Sequence, residues 1–333
     1  MIKSSAPTRI DLAGGTLDIW PLYLFLGLPP TLNAAIDLYA TVLVAPRKDG
    51  RIVIESKDLK MKCSFASLHH LPERHPLELI LRTLKFYRPT GGLTLTTDCQ
   101  APQGSGIGGS SALNIALHGA LNRLTGNRLS RTGLLEVAKN IETQVIGVPA
   151  GWQDYFPALY GGVRAVLPGP EGVISQGLPL DLAQLSRRFV LCYTGKPRNS
   201  GINNWEVMKK TIDRDKKTLA NLDRIRRVAE KMHDALAHGA LDRLGGLLNE
   251  EWRARKALAP GISTPAMDAM VSAARKQGAL AGKVCGAGGG GCVAFWVREK
   301  KKDAVEQALT ALGGKVLPVR FVKRGLRVET LSS

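Results

Sequence analysis

The chain has 333 residues, 46 Lys and Arg against 28 Asp and Glu, a formal net charge of +18 and 44% hydrophobic residues. That length suits two domains, and that apolar fraction fills a core, which excludes a disordered chain. The charge points to an anionic partner or to a basic solvated surface, and it carries no information on fold. Five scattered cysteines form no CxxC pair, and six histidines show no HExxH spacing. A disulfide framework and a His/Cys metal cage are therefore not expected, and a reducing, cytoplasmic setting is.

In chain order, an apolar run at 3–12 predicts a first strand that carries Arg9 and Asp11 and ends in Gly14, Gly15 and Asp18. Charges inside an apolar strand either face a site or mark a solvated edge. No charge occurs between Asp18 and Asp37, and residues 19–28 read IWPLYLFLGL. Pro21, Pro29, Pro30 and Asn33 interrupt this stretch, so no membrane span is expected. Nor is a signal peptide, because Arg9, Asp11 and Asp18 stand where its apolar segment would be. Runs at 40–46 and 51–56 predict strands, and Asp49-Gly50 between them reads as a hairpin turn. A strand at 92–98, helices at 110–124 and 132–145, and a strand at 162–167 follow. The Gly-, Pro- and polar-rich stretch 168–186 places a domain boundary near 180.

Beyond it, 188–193 reads as a strand and 205–258 as a long basic helical stretch. There Leu222, Ile225, Ala229, Met232 and Leu236 share one face. The Lys and Arg residues on the other face are either solvated or a nucleic-acid stripe, and no interleaved aromatics favour the stripe. A helix at 267–277, strands at 291–297 and 316–323 and a helix at 303–312 complete the chain. Strands and helices do not alternate regularly, which argues for α+β layers over a doubly wound sheet. The expected domains are 1–180 and 181–333.

Residues 102–112 read PQGSGIGGSSA before an amphipathic helix. A glycine-rich turn entering a helix presents unpaired N–H groups and the positive end of the helix dipole, which together bind phosphate. The turn lacks the GK[ST] ending of a P-loop and differs from the Rossmann fingerprint. A second run, GAGGGG at 286–291, leads into a strand and fits close approach to a ligand or to the first loop.

The three clusters, in this order, resemble the three motifs of the GHMP kinases. The second resembles Pro-x-x-x-Gly-Leu-Gly-Ser-Ser-Ala with Ile107 for Leu, and the third resembles Lys-x-x-Gly-Ala-Gly-Gly-Gly-Gly as Lys283 to Gly291. The opening segment, with GWQDYFPALYGG (151–162), SGINNWEV (200–207) and PGISTPAMD (260–268), looks most like the sugar-1-kinase branch. The resemblance implies a ribosomal-S5-like N-terminal domain, a ferredoxin-like C-terminal domain and an active site between them. It also implies an ATP-dependent sugar kinase using Mg²⁺. The expected acceptor is C1 of D-glycero-D-manno-heptose 7-phosphate; L-fucose or another neutral sugar is the alternative, and a non-catalytic nucleotide binder the third. Nucleic acid and membrane are not expected partners.

By the same resemblance, Gly104, Ser105, Gly106, Gly108, Gly109, Ser110 and Ser111 cradle ATP. Glu142 with Ser110 or Ser111 binds Mg²⁺; Gly109 replaces the first serine of many relatives, which leaves the choice of hydroxyl open. Asp154 is the catalytic carboxylate and Arg9 its cation. Residue chemistry alone allows Glu142 as a solvated helix residue and Asp154 as a turn cap. Asp18 and Gly15 are expected at the sugar, with Gly288 and Gly289, and Arg198 with Lys196 and Asn203 at a substrate phosphate. Lys283 is expected to face the ligands. Trp152 and Trp205 are each either core or a stacking face.

Overall fold

The computed structural model describes residues 1–197 and 201–332. In chain order it forms β1 (Ile2–Ala13), α1 (Leu22–Phe25), β2 (Thr31–Arg47), β3 (Ile52–Ser56), β4 (Met61–Phe65), α2 (Glu78–Tyr87), β5 (Gly92–Cys99), α3 (Gly109–Leu124), α4 (Arg131–Ile146), α5 (Tyr155–Tyr160), β6 (Val163–Gly169) and β7 (Gly172–Leu178). Then follow α6 (Leu182–Arg188), β8 (Phe189–Tyr193), α7 (Gly201–Ile212), α8 (Lys216–Ala237), α9 (Leu244–Lys256), α10 (Pro265–Lys276), β9 (Ala279–Val284), β10 (Cys292–Val297), α11 (Lys302–Ala311), β11 (Lys315–Leu317) and β12 (Arg327–Thr330).

Two sheets divide these strands. The first runs β12-β1-β2-β5-β3-β4, with β6 on β2 and β7 on β6; the second runs β11-β8-β10-β9. Alternation along the second sheet sorts its side chains by face. Leu191, Ala294 and Trp296 join α8, α9 and the β1–β2 face in one core shared by both sheets. Val190, Cys192, Phe295 and Val297 pack on the other side, with α10 and α11 residues such as Met270 and Leu309. The opposite face of the first sheet is covered by α2 to α5.

Two expectations are corrected, and the stretch in which a boundary near 180 is expected gains its elements. Asp49-Gly50 does turn, with Gly50 at φ +72°, but β2 and β3 do not pair, because β5 lies between them, antiparallel to β2 and parallel to β3. The stretch 168–186 holds β7 and the start of α6, where Asp181 caps the helix by accepting from the N–H groups of Ala183 and Gln184. The stretch 205–258 is three helices, interrupted at Asp213–Asp215 and at Gly239. Its apolar stripe holds, since Leu222, Ile225, Ala229, Met232 and Leu236 are all fully buried. The chain's end crosses back, and β12 pairs antiparallel with β1. Among the described residues no helix is long and apolar enough to cross a membrane. In the segment 19–28, Ile19 and Leu22 pack on Met208 while Trp20 and Phe25 are exposed.

Candidate active site

The site begins where β1 passes under the turn before α3. The N–H of Arg9 donates to the carbonyl of Ile107 (2.9 Å), and its Nη1 donates to that of Gly106 (2.7 Å). Gly108, at φ +75°, starts α3, and a Cβ there would lie 3.5 Å from both Arg9 Cγ and Asp154 Cγ. That space would take a Cβ in ordinary contact; what favours glycine is the left-handed φ that the turn needs there. The first N–H groups of α3, from Gly109 onward, have no intrahelical partner by geometry and open beside Asp154.

The second glycine run holds this turn from the other domain. The N–H of Cys292 donates to the Ser105 carbonyl (2.7 Å), and a Cβ on Gly291 would lie 2.6 Å from that same oxygen. Close approach to the first loop is thus the use of the run at Gly291. Gly288 and Gly289 pack on residues 261–262, with the Gly289 N–H donating to the Ile262 carbonyl, while Gly286 and Ala287 reach the cavity wall.

Asp154 precedes α5 but caps nothing with its side chain. Oδ1 accepts from both Nε and Nη2 of Arg9, while Oδ2 has no hydrogen-bond partner among the described residues and the side chain is a quarter exposed. Glu142 is buried rather than solvated. Its Oε1 accepts from Ser110 (2.5 Å), and its Oε2 accepts from Ser111 (3.0 Å) and Tyr155 (2.7 Å). Burial raises its carboxyl above the usual range, against the three hydroxyls and with Asp154 adding to the rise. Both serines reach the carboxylate, so geometry does not choose between them. Among the described residues no group of three or more His, Cys, Asp and Glu is placed to hold a metal. One carboxylate with a hydroxyl is a hard-oxygen set of the size Mg²⁺ uses when phosphates and waters complete its shell.

Asp18 is 1% exposed. Its Oδ2 accepts from the N–H groups of Trp152 (2.5 Å) and Gln153 (2.7 Å), and Oδ1 has no partner among the described residues. Burial first, then Asp154, push its pKa up to about 6. Arg9, Asp18, Asp154, Glu142 and the turn line one cavity of about 700 Å³, inside the range of small-ligand sites. Leu59, Leu77, Ile80, Ile146 and Val148 supply an apolar part of its lining.

Other candidates lie elsewhere. Gly15 sits behind the wall, where a Cβ would meet Asp11 Oδ2 at 2.8 Å. Lys283 does not face ligands: it is 1% exposed and donates to the carbonyl and Oδ2 of Asp11, both at 2.9 Å. Of the two buried charges on β1, then, Arg9 serves the cavity and Asp11 an internal ion pair. Trp152 is core and Trp205 is exposed. Arg198 lies outside the described residues, as does the side chain of Asn203. Sequence reasoning missed Tyr155, Glu251 and Arg255.

Two family models match the chain: GHMP kinases N terminal domain over residues 77–162 and GHMP kinases C terminal over 232–316. The D-glycero-alpha-D-manno-heptose 7-phosphate kinase of Campylobacter jejuni is 30% identical over 98% of both chains. The chain belongs to the GHMP kinase family. It is accordingly an ATP-dependent phosphotransferase with an alcohol acceptor. A mevalonate kinase from Thermococcus sibiricus is 28% identical over 99% of both chains. A solved D-glycero-D-manno-heptose 1-phosphate kinase from Bacteroides thetaiotaomicron superposes with a TM-score of 0.78 at 26% identity, covering all of both chains. The two-sheet architecture with helices is thus that of a GHMP kinase.

Proposed function

We propose that the protein is a cytoplasmic sugar kinase that transfers the γ-phosphoryl group of Mg·ATP to the C1 hydroxyl of D-glycero-D-manno-heptose 7-phosphate. The observation that carries the reading is Asp154, with one oxygen fixed by Arg9 and the other directed at a cavity beside the α3 N-terminus. The turn 104–111 would hold the triphosphate, with the base toward the apolar lining at Leu77 and Ile146. Glu142 with Ser110 or Ser111 would hold Mg²⁺, which supplies charge neutralisation on the phosphates.

Asp154 Oδ2 accepts the proton of the sugar hydroxyl as the new O–P bond forms and the bond to the leaving ADP breaks. Arg9 holds Asp154 in place through Nε and Nη2 and lies beside the developing charge. Asp18 Oδ1 accepts from a second sugar hydroxyl and orients the ring. Arg198, beyond the described residues, is the candidate for the 7-phosphate. In this reading the domains are ribosomal-S5-like and ferredoxin-like; the order β11-β8-β10-β9 in an antiparallel sheet supports the second assignment. Ion pairs such as Arg226–Asp223 and Arg226–Glu230 support a solvated face on α8.

The test is a Mg·ATP turnover screen over free and phosphorylated sugars, with the product identified by phosphorus NMR. The expected result is turnover on the heptose 7-phosphate, lowered on the order of 10²–10⁴-fold in Asp154→Asn with the fold intact. ATP hydrolysis at the same rate without sugar defeats the kinase assignment. Turnover on L-fucose in place of the phosphosugar makes it a neutral-sugar kinase.

A further inference from the structure

The buried face of α9 carries an unusual pair. Leu244 and Leu248 are followed at the same helical spacing by Glu251 and Arg255, which are 0% and 2% exposed. Arg255 donates from Nε and Nη2 to Glu251 Oε1 (2.7 and 2.5 Å), and from Nη2 to the Gly15 carbonyl (2.9 Å). Lys283, on β9, lies 3.6 Å from Glu251 Oε2 while it holds Asp11. Two cations and two carboxylates therefore balance between α9, β9 and β1, and they tie the turn after β1 to the second domain.

The third nitrogen of the arginine is not used in this way. Nη1 of Arg255 has no partner among the described residues, and Arg255 lines the cavity with Thr16, Asp18 and Asn204. A guanidinium has five donors in a fixed plane, so the bonds to Glu251 and Gly15 also fix where Nη1 points. Because Glu251 already matches its charge, the two N–H groups of Nη1 suit a neutral oxygen better than a phosphate.

We propose that Arg255 is an acceptor-binding residue that also positions the Gly14–Asp18 turn: Nη1 donates to a hydroxyl or ring oxygen of the sugar held by Asp18, and Nη2 holds the turn through Gly15. The binding half rests on the sugar-kinase reading above; the positioning half does not.

The experiment uses the full chain with Arg255→Lys and Glu251→Gln, and Arg255→Met if it folds. Initial rates are taken with D-glycero-D-manno-heptose 7-phosphate varied at saturating Mg·ATP, and the reverse. Arg255→Lys keeps the charge beside Glu251 but cannot serve Glu251, Gly15 and the sugar at once. Its KM for the sugar should rise about 10–100-fold while the KM for ATP stays within about twofold. Equal changes in both KM values, or a loss of kcat alone, overturn the acceptor role. Hydrogen exchange supplies a readout that needs no sugar: amides of 14–18 should exchange faster in Arg255→Lys while α10 is unchanged. Unaltered exchange at 14–18 overturns the positioning role. If the wild type turns over no sugar in the screen, the sugar reading fails, and the exchange result still decides what Arg255 does to the turn.

Discussion

Asp18→Asn should make the protein more stable and a worse enzyme. Asp18 is fully buried, and burial with the nearby Asp154 lifts its pKa from the ordinary 3.8 to about 6. The folded state therefore holds the Asp18 proton more tightly than the unfolded state does. The cost of ionising it is absent below about pH 4, grows as pH rises toward 6 and is complete above that. At neutral pH it amounts to on the order of 3 kcal/mol. Asparagine keeps a carbonyl oxygen for the N–H groups of Trp152 and Gln153 and removes the charge.

Relative to wild type, Asp18→Asn should gain up to about 3 kcal/mol at pH 7.5, falling to about half of that by pH 5. In a thermal melt that is roughly 5–10 °C at the higher pH. The same substitution removes a charged acceptor from the cavity, so the KM for the sugar should rise about 10–100-fold with the KM for ATP unchanged. Wild-type kcat/KM for the sugar should also fall below pH 6, as Asp18 protonates. A variant less stable than wild type at pH 7.5, or a stability difference that does not change between pH 5 and 7.5, would refute this account of the buried carboxyl.

Two further substitutions test how the domains hold the site. Gly291→Ala places a Cβ 2.6 Å from the Ser105 carbonyl at φ +81°, so the phosphate turn must shift. KM for ATP should rise on the order of 10–100-fold, whereas Gly313→Ala, at φ +78° with open space around it, should bring only backbone strain of about 1–2 kcal/mol and normal kinetics. Lys283→Met leaves Asp11 and Glu251 sharing Arg255 and should cost about 3–5 kcal/mol in chemical denaturation. Adding Asp11→Asn should recover part of that loss, and strict additivity of the two would show that the pair does not interact.

The elements legible in the sequence were those whose periodicity matches their burial. In β10 every residue of Cys292–Val297 is buried, and on α8 the buried positions recur at helical spacing. Two of the missed strands lack that match: β7 is mostly exposed or half-buried, and β4 alternates without a buried residue; β9 was missed although all but one of its residues are buried, because Ala279 to Val284 holds two alanines and a glycine and only one β-branched residue. The false hairpin at Gly50 fails for a different reason. Its geometry is local, but the strand that displaces β3 from β2 arrives some forty residues later, and no local pattern encodes that choice. The site divides in the same way. Gly104 to Ser111 are consecutive and readable, whereas Arg9 meets Asp154 across 145 residues and was placed there only by family resemblance. Arg255 hid in a basic stretch. Yet the signal was present, because Glu251 and Arg255 continue the apolar stripe of Leu244 and Leu248 on α9. Charges that fall on the core face of an amphipathic helix, four residues apart and of opposite sign, are cheaper as a fixed pair than as two buried ions.

The net charge of +18 takes on a different meaning once these positions are known. In and behind the cavity stand seven carboxylates, of Asp11, Asp18, Asp58, Asp98, Glu142, Asp154 and Glu251, against four cations, Arg9, Lys283, Arg255 and Lys315. The site itself is acidic, although the chain is strongly basic. Arg9, Lys283 and Arg255 are each paired with a carboxylate, so these side chains offer little net attraction to a triphosphate or a phosphosugar. What remains locally for anions is Lys315 and backbone: the N–H groups at the start of α3 and the glycine turn before it, with the metal ion that Glu142 would hold. The excess of Lys and Arg lies outside this set and acts at longer range, raising the local concentration of anionic ligands in a way that salt screens. A preference for a phosphorylated acceptor would then rest on cations outside these pairs: Lys315 lines the cavity and Lys196 is exposed, while Arg198, expected beside it, lies outside the described residues.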